Sequence, residues 1–140
     1  MHRTSRVGAI LIAVFTVLML TATAAWAGSP HFVSNTVTKV TNADGSLTVS
    51  GKEAGLGDEA QVHIVVDATA QCINPGDKHP KAANKESVEA SGDFPVQNGK
   101  ANFSLTLVAT NISPNCSPPM TIVWTDITVT DTTNGITTDP

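Results

Sequence analysis

The sequence has no tyrosine, only two cysteines, and two arginines that both fall within its first six positions. Each scarcity excludes something. Without arginine beyond Arg6, the bulk of the chain has no guanidinium with which to neutralise phosphate, and nucleic acid or anionic lipid is a poor partner. Beyond residue 27 the aromatic side chains are Phe32, Phe94, Phe103 and Trp124 alone, so a stacking platform for sugars or bases would rest on very few rings. No CxxC or HxxxH spacing accompanies the cysteines, which argues against a thiol metal site. No segment after the N-terminus sustains a helical period.

What the N-terminus does contain is a leader. Arg3 and Arg6 precede an apolar run from Val7 to Leu20, and Ala25-Trp26-Ala27 supplies small residues at the −3 and −1 positions of a cleavage site. That pattern reads as a secretory signal over residues 1–27, too short and too plainly followed by a cleavage motif to be a stable span. No cysteine follows the apolar run to take a lipid, and the polar tail "TDTTNGITTDP" offers no anchor. The expectation is export, release to the extracellular side, and one domain over residues 28–140. With both arginines gone, six lysines face all twelve acids, a formal charge of −6. A chain of this size buries roughly two-thirds of its unfolded surface, enough for one core. Export also places Cys72 and Cys116 in an oxidising compartment, where an even count argues for a disulfide. Closing a loop of 44 residues (116 − 72) stabilises by roughly 4 kcal/mol in the chain-entropy model.

The remaining pattern is that of strands. In "EAQVHIVVDATAQC" Ala60, Val62, Ile64, Val66, Ala68, Ala70 and Cys72 share one face, and only Val65 interrupts the polar face. In "ESVEASGDFPVQNGKANFSLTLVAT" the dipeptide Asn98-Gly99 suits a two-residue type I′ turn, whose central positions both need positive φ. That turn sets Phe94 opposite Phe103, Gly92 opposite Leu105 and Ala90 opposite Leu107, with the apolar residues on one face of a predicted hairpin. Asn42-Ala43-Asp44-Gly45 reads as a type I turn closed by a left-handed glycine. In "MTIVWTDITVTD" the alternation slips between Trp124 and Asp126, as at a bulge. Six or seven strands joined by Gly-, Asn- and Pro-rich turns predict an antiparallel, immunoglobulin-like β-sandwich with one disulfide.

One stretch breaks the pattern. "CINPGDKHPKAANK" leaves a clean strand at Cys72 and runs without a hydrophobic period to Lys85. With Asn98-Gly99 at one end of its hairpin, Glu86 and Asn111 lie at the other, so a 72–116 disulfide pins residues 73–85 beside residues 111–119. Asn74, Asp77, Lys78, His79, Asn84, Lys85, Asn111 and Asn115 then form a candidate binding surface on end loops of a rigid scaffold. Asp77 with His79 supplies too few ligands for a metal, and no cofactor motif is present. Nothing in the sequence marks a nucleophile, base and orienter that the fold would bring together.

"CINPGDKHPKAANK", "GDFPVQNGKANFSLTL" and "SPNCSPPMTIVW" resemble segments of small exported actinobacterial proteins of uncharacterised function. That likeness implies secretion and a β-sandwich and carries no activity. More loosely, "SLTVSGKEAGL", "CINP" and "NGKANFSLTL" are similar to the strand–turn pattern of immunoglobulin-like enediyne chromoprotein apoproteins. Those proteins hold a chromophore in a cleft and have two short-range disulfides where this chain has one long-range pair. The functional expectation is a secreted, non-enzymatic binding or surface-associated module, with an unidentified extracellular or cell-surface ligand. A small-ligand carrier of the chromoprotein type is the first alternative. A secreted enzyme inhibitor using "NISPNCSPPM" is the second.

Overall fold

A computed structural model of the chain describes residues 28–76 and 84–140. Residues 1–27, where the sequence predicts a leader, and residues 77–83 lie outside that description. Among the described residues eight strands follow one another: β1 His31–Phe32, β2 Thr38–Thr41, β3 Leu47–Ala54, β4 Gln61–Ile73, β5 Lys85–Pro95, β6 Lys100–Leu107, β7 Thr121–Asp131 and β8 Ile136–Thr138. They form two antiparallel sheets packed as a sandwich. In the first, β6 pairs β3 along its whole length, from Leu47↔Leu107 to Ala54↔Lys100. A strand has two edges, so β1 and β2 must share the other edge of β3, against Ala54 and Ser50 respectively. They are one interrupted strand, which reconciles the eight elements with the expected six or seven. The second sheet runs β5-β4-β7-β8. Its last member lies in the tail that the sequence presents only as polar.

Alternation builds the core. On β4, Val62, Ile64, Val66 and Ala70 are wholly buried, and on β7 Val129 joins them. Each of the valines and the isoleucine contributes roughly 1.5–3 kcal/mol on leaving water, and the alanine less. On the facing sheet Leu47, Val49, Phe103 and Leu107 close the layer. Gly51 lies directly under the Phe103 ring, where a Cβ would come within 2.7 Å of it. The slip in β7 is a bulge: Asp67 pairs Thr128 and Thr69 pairs Thr125, so Ala68 opposes both Asp126 and Ile127. Asp126 takes φ 51° there. The extra residue lets Trp124 and Ile127, three apart, both point inward.

One expectation is corrected. Asn98 and Gly99 do take positive φ, 51° and 70°, and Gln97 pairs Lys100 through two backbone hydrogen bonds. The predicted hairpin ladder stops at that pair. The next backbone group, Val96 N–H, already donates to the carbonyl of Ala60, just ahead of β4 and away from β6 (3.0 Å). From there β5 pairs β4 over eleven residues and β6 pairs β3 over eight. The expected oppositions survive across the core instead of within a sheet. Phe94 meets Phe103 edge-on at 6.2 Å, and a Cβ on Gly92 would touch Leu105 at 3.4 Å. A period of two fixes which face a side chain takes, and both arrangements satisfy it. The longer ladders offered by β4 and β3 decide between them.

Candidate functional site

The two ends of the sandwich differ, and the expected site lies at the end where β4 and β6 finish and β5 and β7 begin. Cys72, the penultimate residue of β4, is bonded to Cys116 in the β6–β7 connection, with their Cα atoms 5.6 Å apart. Neither cysteine is free. The bond ties a connection that leaves one sheet to a strand of the other.

A second tie comes from Glu86, on the edge strand β5. Its carboxylate accepts hydrogen bonds from the Asn111 backbone N–H (3.0 Å), the Asn111 side-chain amide (2.8 Å) and the Ile112 N–H (3.2 Å). Two N–H groups that the turning backbone leaves without a ladder partner are thereby satisfied. Ile112 is held inward, 7% exposed. After it, Ser113–Asn115 forms one 3₁₀ turn, and a further turn brings the Met120 N–H back to the Ser117 carbonyl (2.9 Å).

Between these ties lies a cavity of about 280 Å³ lined by Cys72, Asn84, Asn111, Ile112, Asn115 and Met120. Ile112, Met120 and Cys72 give it an apolar floor, and the three asparagines give it a polar rim. The structure therefore brings together three of the eight surface residues read from the sequence. Asn74 sits in an exposed turn and does not reach the cavity. Lys85 pairs Gln71 on the outward-facing parity of β5, so alternation turns it away from the core side. Asp77, Lys78 and His79 lie outside the described residues.

Sequence reasoning missed the other half of this pole. The β2–β3 turn folds as expected, with the Gly45 N–H donating to the Asn42 carbonyl (2.9 Å) and Gly45 at φ 84°. It comes up beside Cys116 of the disulfide. The Trp124 indole N–H donates to the Gly45 carbonyl (3.0 Å), pinning the turn of one sheet to a strand of the other. A second depression of about 340 Å³ lies between this turn and the segment from Ser113 to Ile122, and it shares Met120 with the first. Asp44 at its edge accepts from both the Ser46 hydroxyl (2.6 Å) and the Ser46 N–H (3.0 Å). Those bonds, the hydroxyl foremost, hold its carboxyl below the usual aspartate value. The signal for Glu86 was in the sequence, since the turn register sets it opposite Asn111. The approach of the 42–45 turn follows only from the sheet order.

Elsewhere, Asp67, Glu89 and Asp126 line an open depression of about 310 Å³ on the outer face of the second sheet, beside the β7 bulge. Among the described residues no set of three or more His, Cys, Asp or Glu side chains is arranged to hold a metal ion. No described helix is long and apolar enough to cross a membrane. Compared with protein-family models, curated proteins and solved structures, the chain matches none.

Proposed function

We propose that the protein is an exported, non-enzymatic binding module whose ligand seats at the disulfide pole. The observation that carries this reading is the cavity rimmed by Asn84, Asn111 and Asn115 over Ile112 and Met120. Its walls are cross-linked by Cys72–Cys116 and by Glu86, so the backbone that carries the rim is tied down and the Asn111 amide is oriented before a ligand arrives. Side-chain amides offer both donors and acceptors and no charge. The matching ligand is small and neutral, with an apolar group for the floor and a hydrogen-bonding edge for the rim. Export is supported by the leader pattern and by a disulfide of the kind that persists in oxidising compartments.

The apolar floor also supports the carrier reading, on a restricted scale. Small-molecule sites span roughly 300–1,000 Å³, so this cavity suits a compact group rather than a polycyclic chromophore. The inhibitor reading draws less support, because residues 113–120 close into successive turns where an inhibitory segment would be extended.

The test is amide chemical-shift mapping of the purified protein against a panel of small neutral amphiphiles and soluble cell-wall saccharides. Shifts clustered on Asn84, Asn111, Ile112, Asn115 and Met120 are the expected result. Shifts confined to the face around Asp67, Glu89 and Asp126, or to the opposite pole, would place the binding surface elsewhere.

A further inference from the structure

At the pole opposite the disulfide, two carboxyl side chains are buried against each other from different sheets. Glu53 lies near the end of β3 and Asp131 ends β7, and neither exposes any surface to water. Asp131 is well supplied with donors. Its Oδ1 accepts from the N–H groups of Thr133 (2.8 Å) and Asn134 (3.3 Å), and its Oδ2 from the Asn134 side-chain amide (2.7 Å). Glu53 has no donor at all: no protein N–H or O–H among the described residues reaches either of its oxygens. A buried carboxylate without hydrogen bonds is among the costliest groups a core can contain. A buried carboxylic acid facing a carboxylate has a partner of its own making, since it can donate.

The other groups around Glu53 point the same way. Its cross-strand neighbours are Phe32 on β1 and Ala101 on β6. Ile64 of β4 and Ile136 of β8 flank Asp131. Asp131 and Glu59, the charges bearing on Glu53, are both negative, and Glu59 is tied to Asp131 through the shared Asn134 amide (3.2 Å to Glu59). His31 on β1 is exposed and bonds the Ser29 carbonyl. Among the described residues no lysine or histidine forms an ion pair with either carboxyl.

We propose that Glu53 is a carboxylic acid in the folded protein at neutral pH, donating its proton to Asp131, and that this single shared proton clasps the two sheets at this pole. Alkali removes the proton and leaves two facing carboxylates in the core, so the clasp loosens as pH rises. Desolvation first, and then the bond and charge of Asp131, push the Glu53 carboxyl up from 4.5 to about 8. The sign follows from linkage. A raised folded-state value means that the folded protein keeps a proton the unfolded chain has released. Stability is full below 4.5, falls through the interval up to about 8, and is flat in this respect above it.

Two measurements test this on the intact protein. In the first, unfolding is followed between pH 4.5 and 8 for the parent and for Glu53→Gln, which keeps the shape and carries its own donor. The parent's unfolding constant should rise about tenfold more per pH unit than the variant's, the signature of one proton. Equal pH dependence would overturn the proposal. The second measurement needs no variant to fold: the infrared spectrum of the parent at neutral pH should contain a protonated carboxylic C=O band that disappears on alkaline titration. A spectrum with carboxylates only would overturn it. So would stabilisation of the parent, but not of Glu53→Gln, by calcium at neutral pH, because the pair would then hold a cation rather than a proton.

Discussion

Glu86 and Glu53 show how one functional group takes opposite roles at the two ends of the same sandwich. Glu86 sits on an edge strand with three donors converging on its carboxylate, and it organises the Asn111 turn by being charged. Glu53 sits on an inner strand with no donors, and its environment favours the neutral acid. The difference comes from what surrounds each side chain. A turning backbone releases N–H groups that an anion can collect, whereas a paired strand has already spent its own on the ladder. The disulfide pole is therefore held by a covalent bond and charge-assisted hydrogen bonds, and the other by apolar packing around a shared proton. The first arrangement leaves a rigid polar cavity, and the second leaves no accessible polar group on the clasp.

The largest effect expected from separating the poles is loss of the cross-link. Replacing Cys72 and Cys116 together with alanine should destabilise the protein by about 3–4 kcal/mol, read as a lower denaturant midpoint. The poles lie at opposite ends of the strands and share no hydrogen-bond partner among the described residues, so their contributions should add. The double variant should therefore keep the parent's pH dependence. If that dependence vanishes with the disulfide, the two ends are one cooperative network and not two independent poles.

A smaller effect is expected at Glu86. Glu86→Gln replaces one acceptor oxygen with an amide that donates, leaving backbone N–H groups of the Asn111 turn in competition with it. The cost should be about 1–2 kcal/mol, moderated by the site's exposure. Hydrogen exchange should quicken at the Asn111 and Ile112 amides while the β3 and β7 ladders keep their protection. Uniformly faster exchange would mean that Glu86 supports the whole fold and not its pole.

How far all this was written in the sequence depends on which relation is asked of it. Parity was legible nearly everywhere. The alternation in β4 gives its buried face residue by residue, and the slip at Trp124–Asp126 is the bulge. Parity also contained a signal left unread. In "LTVSGKEA" Glu53 follows Leu47, Val49 and Gly51 at even spacing, and in "ITVTD" Asp131 follows Ile127 and Val129. The same period that placed the valines inside placed both carboxyls there. Strand partnership was not legible, because a face says nothing about which backbone lies alongside. Hence the Asn98-Gly99 turn was placed correctly while its strands went to different sheets. The candidate site was legible in the same proportion. The disulfide and three asparagines follow from cysteine count and turn register. The 42–45 turn could join them only once Trp124 had been placed across from Gly45.

The smallest expected effect is the most discriminating for function. Asn84 and Asn115 are exposed, and no protein hydrogen bond engages either side chain among the described residues, whereas the Asn111 amide is committed to Glu86. Truncating Asn84 and Asn115 together to alanine should move stability by no more than about 0.5 kcal/mol per site. Two polar groups at the cavity rim would be gone while the floor of Ile112 and Met120 and both ties stay intact. A ligand that maps to this pole should then bind at least tenfold more weakly to a protein with an unchanged denaturant midpoint. Asn111→Ala, by contrast, should lower stability and binding together, since one side chain serves both the tie and the rim. If the double variant binds as the parent does, the rim amides are ordinary solvated loop residues. If it unfolds early, the disulfide pole is structural, and the distinction between a cavity held ready and a core held closed does not divide this molecule.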